Sequence, residues 1–459
     1  MANMRARLID PQAARRRLIS GIALIAAGLA GCGGGGGSEA PAAAPQIAQF
    51  AAERTSYAVG ERARLRADFS GGSGRIEPGV GAVASGASVE TLVLDRNVTY
   101  RLIVTGADGR TSSRELALTV GFRDRYQVLP QTLEVSQHAA VATGDGAVLV
   151  IGGSRAGESA TSTAIDRFDP VTRSFTRIGE LHTGRTGHTA TRLPNGRVLV
   201  VGGASALQIG IVADLIDERT GAVTFGGNLA QPRSRHTATL LADGRVLVVG
   251  GINRNTAELW DPATNTWRLV AQRMRSLREY HSATLLADGR VLIAGGAPAN
   301  LATHQAEIFD PRSETFTPVP GTADGPRALH HALRLADGSV LLAGGEAVYA
   351  DDSAEVLASA LRFDPATGRL EAAPPLARAR TIATAVALPD NRLLLFGGER
   401  EIDAPTATAE GYGRAGGSAL AAMPGARRAH SATRLPDGRV LIVGGERPGG
   451  YAGEVLLYE

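Results

Sequence analysis

The sequence predicts an all-β chain: a seven-bladed β-propeller preceded by a small β-sandwich. Three observations carry that expectation. Gly-Gly pairs end apolar runs at 152–153, 202–203, 250–251, 295–296, 344–345, 397–398 and 444–445, spaced by 50, 48, 45, 49, 53 and 47 residues. Seven copies near one such period point to a propeller. Each run follows a turn pair: Asp145-Gly146, Asn195-Gly196, Asp243-Gly244, Asp288-Gly289, Asp337-Gly338, Asp390-Asn391 and Asp437-Gly438. Such pairs supply the positive φ that a tight hairpin demands. Upstream, residues 46–121 alternate polar and apolar positions in short runs broken by Gly and Asp, as half-buried strands do.

The first element is a signal. Arg5, Arg7 and Arg15 to Arg17 precede the uncharged run "LISGIALIAAGLAGC", a charged n-region and an h-region too short to span a membrane as a helix. Leu29-Ala30-Gly31-Cys32 resembles the lipobox of bacterial lipoproteins. That resemblance implies removal of residues 1–31, acylation of Cys32 and a lipid anchor in the cell envelope. Gly33 after the cysteine favours the outer membrane. Cys32 is the single cysteine, so no disulfide forms within the chain. Residues 32–45 are the lipidated cysteine and a flexible Gly-, Ala- and Pro-rich tether.

Residues 46–121 come next. "ARLRADF", "SVETLVL", "TYRLIVTGADG" and "SRELALTV" read as antiparallel strands of a sandwich. The stretch "YRLIVTGADGRTSSRELALTV" resembles the final hairpin of bacterial immunoglobulin-like modules, which implies a stalk.

The repeats fill residues 122–459. Strands such as "RVLVVGG" are apolar on both faces, as neighbouring blades require. A second hairpin follows in most copies: "AIDRFDPVTRSF", "AELWDPATNTW", "AEIFDPRSETF" and "ALRFDPATGRL". Two hairpins make four strands, one blade. The last copy stops at "GEVLLYE", its third strand, while the unpaired "DRYQVLPQTL" ahead of the first copy has a fourth-strand pattern. The N-terminal strand is therefore expected to complete the last blade and remove the open edges. These residues resemble kelch repeats, particularly those in the propeller of galactose oxidase.

Charge excludes one class of partner. All 48 basic residues are Arg, and outside the signal they nearly balance the acidic ones. No basic footprint for nucleic acid is present.

Candidate site residues recur with the repeat. His138, His188, His236, His281, His330 and His430 stand seven residues before the turn Asp or Asn; Ala383 takes the remaining slot. Arg185, Arg233, Arg278, Arg327, Arg380 and Arg427 stand three residues earlier. Such columns either serve blade packing or ring the central channel. On the second reading the arginines border the face with variable loops and grip a carboxylate or sulfate in bidentate fashion. Tyr280-His281 matches a Tyr-His copper pair of galactose oxidase. That enzyme also needs a Tyr-Cys crosslink and a further His, and no cysteine is left to supply the crosslink. A radical oxidase is therefore not expected, and no catalytic constellation, metal site or cofactor motif is found. Asp351-Asp352 read as a solvated loop.

The second-to-third-strand loops vary, from "INRNT" in copy three to "EAVYADDSAEVLAS" in copy five. Variable loops on a rigid scaffold are where recognition sits. The expectation is a monomeric, lipid-anchored envelope protein that binds a protein or glycan, acidic if the arginines reach it. The alternative is a periplasmic carbohydrate-active enzyme, like the sugar mutarotases among kelch propellers.

Overall fold

The computed structural model describes residues 44–158, 161–205, 208–297, 306–321, 326–349 and 353–459. Among these the chain is all-β, with no helix. Cys32, the signal, most of the tether and Asp351-Asp352 lie outside the described residues.

Two sheets face each other over residues 46–121. One runs in the order Gln46–Ala52, Arg64–Ser70, Ala87–Glu90. The other runs Ser56–Ala58, Thr111–Gly121, Val98–Thr105, Ser73–Glu77, Gly81–Val83. Alternation drives their packing. Leu65 and Ala67 on one sheet, and Tyr100, Leu102 and Val104 on the other, are buried in a shared core, while their sequence neighbours face water. Burying each large side chain contributes about 1.5–3 kcal/mol.

Among the described residues seven four-stranded antiparallel sheets follow, here blades 1 to 7 in chain order. Blade 1 is Ala139–Ala142, Val148–Ile151, Ala164–Asp169 and Ser174–Glu180. Blades 2 to 6 occupy 189–228, 237–269, 282–318, 331–373 and 384–420. The first strands pack side by side around a ring, the last against the first. Each second strand is buried, as "VLVV" of blade 3 illustrates. Its Leu247 and Val249 pack on Val291, Ile293 and Phe309 of blade 4. Covering both sheet faces is why these strands lack alternation.

The first hairpin of each blade turns at the pair read from the sequence. Gly244 has φ 89°, and Leu241 N–H donates to the Arg245 carbonyl across the turn at 2.8 Å. Where copy six has Asn instead of Gly, Asn391 takes the same left-handed conformation at φ 66°, which Asn tolerates better than most residues.

Blade 7 is Ser431–Arg434, Val440–Val443, Glu454–Tyr458 and, as its outer strand, Tyr126–Thr132. Tyr126 lies opposite Tyr458. The Tyr458 hydroxyl donates to Asp124 Oδ1 at 3.0 Å, and Phe122 stacks on the Tyr458 ring with centroids 5.2 Å apart.

The hairpin turns define one face of the ring, and the Gly-Gly pairs and variable loops define the other. The sandwich docks on the turn face at blades 6 and 7. Arg434 donates to Asp95 Oδ2 and to the Asp95 carbonyl, both at 3.0 Å. A cavity of about 220 Å³ between Val59, Asn97 and Phe122 on one side and Leu388 and Pro389 on the other marks the seam. The Gly-Gly face is left clear of the sandwich.

Candidate functional site

The Gly-Gly pair organises its face. The first glycine of each pair has φ between 58° and 65°. A Cβ on Gly444 would sit 2.0 Å from the Val135 carbonyl oxygen, and one on Gly295 would sit 2.3 Å from that of Arg327. Only glycine permits so close an approach. The second glycine donates its N–H across the blade boundary to the same carbonyl: Gly296 to Arg327 at 2.8 Å, and Gly445 to Val135 at 2.8 Å.

This arrangement corrects the surface reading of the arginines. Arg233, Arg278 and Arg427 have no exposed surface, and Arg380, Arg327 and Arg185 are 1, 2 and 3% exposed. Each guanidinium turns into its own blade and donates to the carbonyl of the first glycine, always 17 residues on. The distances are Arg185–Gly202 3.0 Å, Arg233–Gly250 2.7 Å, Arg278–Gly295 2.7 Å, Arg327–Gly344 2.5 Å, Arg380–Gly397 2.8 Å and Arg427–Gly444 3.1 Å. The physical reason is acceptor satisfaction. Positive φ swings the glycine carbonyl out of the sheet ladder, and a buried acceptor needs a donor. Third-strand carboxylates complete the set: Asp214 for Arg185, Glu258 for Arg233, Glu307 for Arg278 and Glu410 for Arg380. These six guanidinium groups are engaged inside their own blades, away from the surface.

Five of the six histidines are buried and His138 is half-buried, and they point the other way, toward the preceding blade. The Nε2 atoms of His236, His281, His330, His430 and His138 lie 2.7–3.0 Å from hydroxyls of Thr189, Thr237, Ser282, Thr384 and Ser431. Two boundaries depart from the pattern. His188 faces blade 1, where Ala139 offers no hydroxyl, and Ala383 lacks the ring while His331 of blade 5 supplies one beside it. Burial, with the neighbouring Arg charge, pushes His236 and His281 down to about 3.

The residue before each histidine slot is left-handed in all seven blades: Gln137, Gly187, Arg235, Tyr280, Leu329, Ile382 and Ala429 have φ from 49° to 63°. Six are not glycine, a backbone conformation costing of order 1–3 kcal/mol each. These residues line the channel mouth. Tyr280 is half-buried there, with the Arg235 guanidinium 4.7 Å above its ring. Burial raises the Tyr280 phenol, with Arg235 opposing and Glu279 and Glu346 adding. Tyr280 and His281 thus separate, one facing the mouth and the other the wall.

Sequence reasoning missed the charges around this mouth. The residue after Gly-Gly is Glu346, Glu399 and Glu446 in blades 5, 6 and 7. Arg428 donates to Glu399, to Asp403 at 2.9 Å and to Glu446 at 3.2 Å. Glu446 also accepts from Ser136 at 2.9 Å and Gln137 at 3.0 Å. The signal was a column, three consecutive copies with Glu after Gly-Gly, visible only once the copies are aligned on the glycines.

Residues 137–345 match the KLHDC2/KLHL20/DRC7 Kelch-repeats domain. The fold is similar to a solved structure of a fungal alcohol oxidase of the AA5 family in complex with copper. The TM-score is 0.61 and the identity 18%, over 72% of this chain and 76% of that one. At that identity the likeness shows the fold alone. No curated protein matches the chain. The residues here do not fit copper. His281 is walled in with Nε2 at Thr237, and among the described residues no three His, Cys, Asp or Glu side chains are grouped to hold a metal.

Proposed function

We propose that this kelch-type propeller is the recognition head of a lipid-anchored cell-envelope protein, binding a protein or glycan on its Gly-Gly face. The anchor rests on the Leu29–Cys32 lipobox resemblance, and the sandwich serves as an immunoglobulin-like stalk. One observation carries the binding reading: the sandwich occupies the turn face, while the opposite face holds the variable loops and the left-handed ring. A rigid ring presenting variable loops on its free face is a recognition architecture. The six arginines that motivated an acidic ligand are engaged inside the blades, so ligand chemistry must come from the mouth and loops. The neighbour's oxidase activity is not carried over, because the described residues group no donor set for copper.

The test offers the full chain, held in mild detergent, to a glycan array and to envelope proteins under crosslinking. Hydroxyl-radical footprinting then maps each ligand found. Protection of Gln137, Tyr280 and Tyr349 supports the reading. Protection confined to the hairpin turns, or turnover of an array sugar, overturns it in favour of another surface or an enzyme.

A further inference from the structure

Glu346, Glu399 and Glu446 hold one register position in three consecutive blades, each bridged to the residue that follows the Arg slot: Ala328, Thr381 and Arg428. At the boundary of blades 6 and 7 the arrangement is complete. The Arg428 guanidinium lies between Glu399 of one blade and Glu446 of the next, and their hydrogen bonds and charges hold it firmly protonated. One boundary back, Glu346 and Glu399 stand in the same relation. Thr381 occupies the position equivalent to Arg428. It is too short to reach either carboxylate as Arg428 does. Its Oγ1 is buried and without a hydrogen-bond partner, and the residue has no exposed surface.

Among the described residues the Glu346 side chain makes no hydrogen bond or ion pair, and it is only half-buried. Burial raises its pKa, and the Glu399 charge raises it further. Glu399 is 3% exposed; among the described residues its cation is Arg428, which is divided among three carboxylates, and its Oε2 accepts from the Asp403 N–H at 3.3 Å. The protein thus shows how it holds a guanidinium between two of these glutamates, and beside that site it repeats the glutamates without the guanidinium.

We infer that the gap between Glu346, Glu399 and Thr381 at the channel mouth is a guanidinium-binding site, taking an arginine side chain from a partner polypeptide. The inference deepens the recognition reading and rests on it for the partner. A planar fork of five donors suits two carboxylates and a hydroxyl together, whereas an ammonium is a compact point charge. A polypeptide is the fitting source, because Glu346, the half-buried wall, stands on the face whose loops vary. A neutral sugar brings no charge to its carboxylate.

The experiment titrates the full chain with N-acetyl-arginine amide, its lysine counterpart and the neutral isostere N-acetyl-citrulline amide, by calorimetry. The arginine compound is expected to bind, the lysine one more weakly and citrulline not at all. Glu346→Gln should weaken arginine binding by about tenfold or more, since it removes the charge from a charge-assisted pair. Thr381→Arg should abolish binding by supplying the guanidinium from within, as Arg428 does. If that variant fails to fold, Glu346→Gln decides alone. No arginine binding, equal binding of arginine and citrulline, or an unchanged Glu346→Gln overturns the inference. A macromolecular ligand that footprints to the Gly-Gly face but ignores Glu346→Gln overturns it and leaves the recognition reading standing. A ligand on the turn face overturns that reading, while the amide titration still decides the site.

Discussion

Arg233 illustrates how a legible residue can carry an illegible role. Its column stands out in the sequence, and so does the constant interval of 17 to the glycine it serves. Its direction does not, because alternation presumes an extended backbone and Arg235, two residues on, is left-handed at φ 60°. Buried against Glu258, Arg233 is structural. Arg233→Met should cost about 3–5 kcal/mol by leaving a buried carboxylate uncompensated. Urea unfolding of the variant checks this, and an unchanged midpoint would return the arginine to the surface. The histidines predict a pH response. His236 and His281 stay neutral in the fold down to about 3, whereas an unfolded imidazole gains its proton near ~6.5. The unfolded chain therefore binds more protons between those values, and stability falls as pH drops below ~6.5, by up to about 1.4 kcal/mol per pH unit for each ring. Carboxylates held low, such as Glu314 through its hydrogen bond to Arg268, add their loss only below their own unfolded value near ~4.3. Thermal melts should decline steadily from pH 6.5 to 5; a plateau there would contradict the buried neutral rings.

At the scale of the strand, the sequence was readable wherever periodicity and turn chemistry agreed. The second strands are apolar on both faces because each is covered on both sides, and the Asp-Gly turns place their glycines at positive φ. The left-handed residue before each histidine was not readable. Ile382 and Leu329 are poor candidates for φ near 50°, and only the assembled ring forces them into it. Its reward is a set of backbone hydrogen bonds between blades: Tyr280 N–H to the Arg235 carbonyl at 3.2 Å, and Leu329 N–H to the Tyr280 carbonyl at 3.0 Å. The candidate site was legible in part. Tyr280 stands out in the sequence through a Tyr-His match whose copper chemistry is not expected there, and its ring stands at the channel mouth. The glutamates beside it carried no local motif and emerged only from blade-to-blade equivalence.

The whole ring depends on one pairing between distant segments. Tyr126–Thr132 lies against Glu454–Tyr458, and its Leu129 is buried with Val455 and Leu457. A fragment spanning 122–459 keeps that pair, and one spanning 133–459 exposes the Glu454–Tyr458 edge. The shorter fragment should melt lower by at least about 5 °C, given roughly 2–4 °C per kcal/mol for chains of 150–250 residues. Equal melting temperatures in scanning calorimetry would show that the outer strand is dispensable. The same pairing has a mechanical side. The chain leaves the sandwich at Gly121 and within five residues becomes the strand that shuts the ring. Tension applied through the sandwich therefore reaches the propeller at its clasp. The docking of Asp95 on Arg434 and of Glu61 on Arg123 lies alongside that path. Of those two pairs, Asp95–Arg434 ties the sandwich directly to blade 7 and Glu61–Arg123 ties it to the connecting segment, so a pull on the sandwich would be shared with blade 7 before it peeled the outer strand.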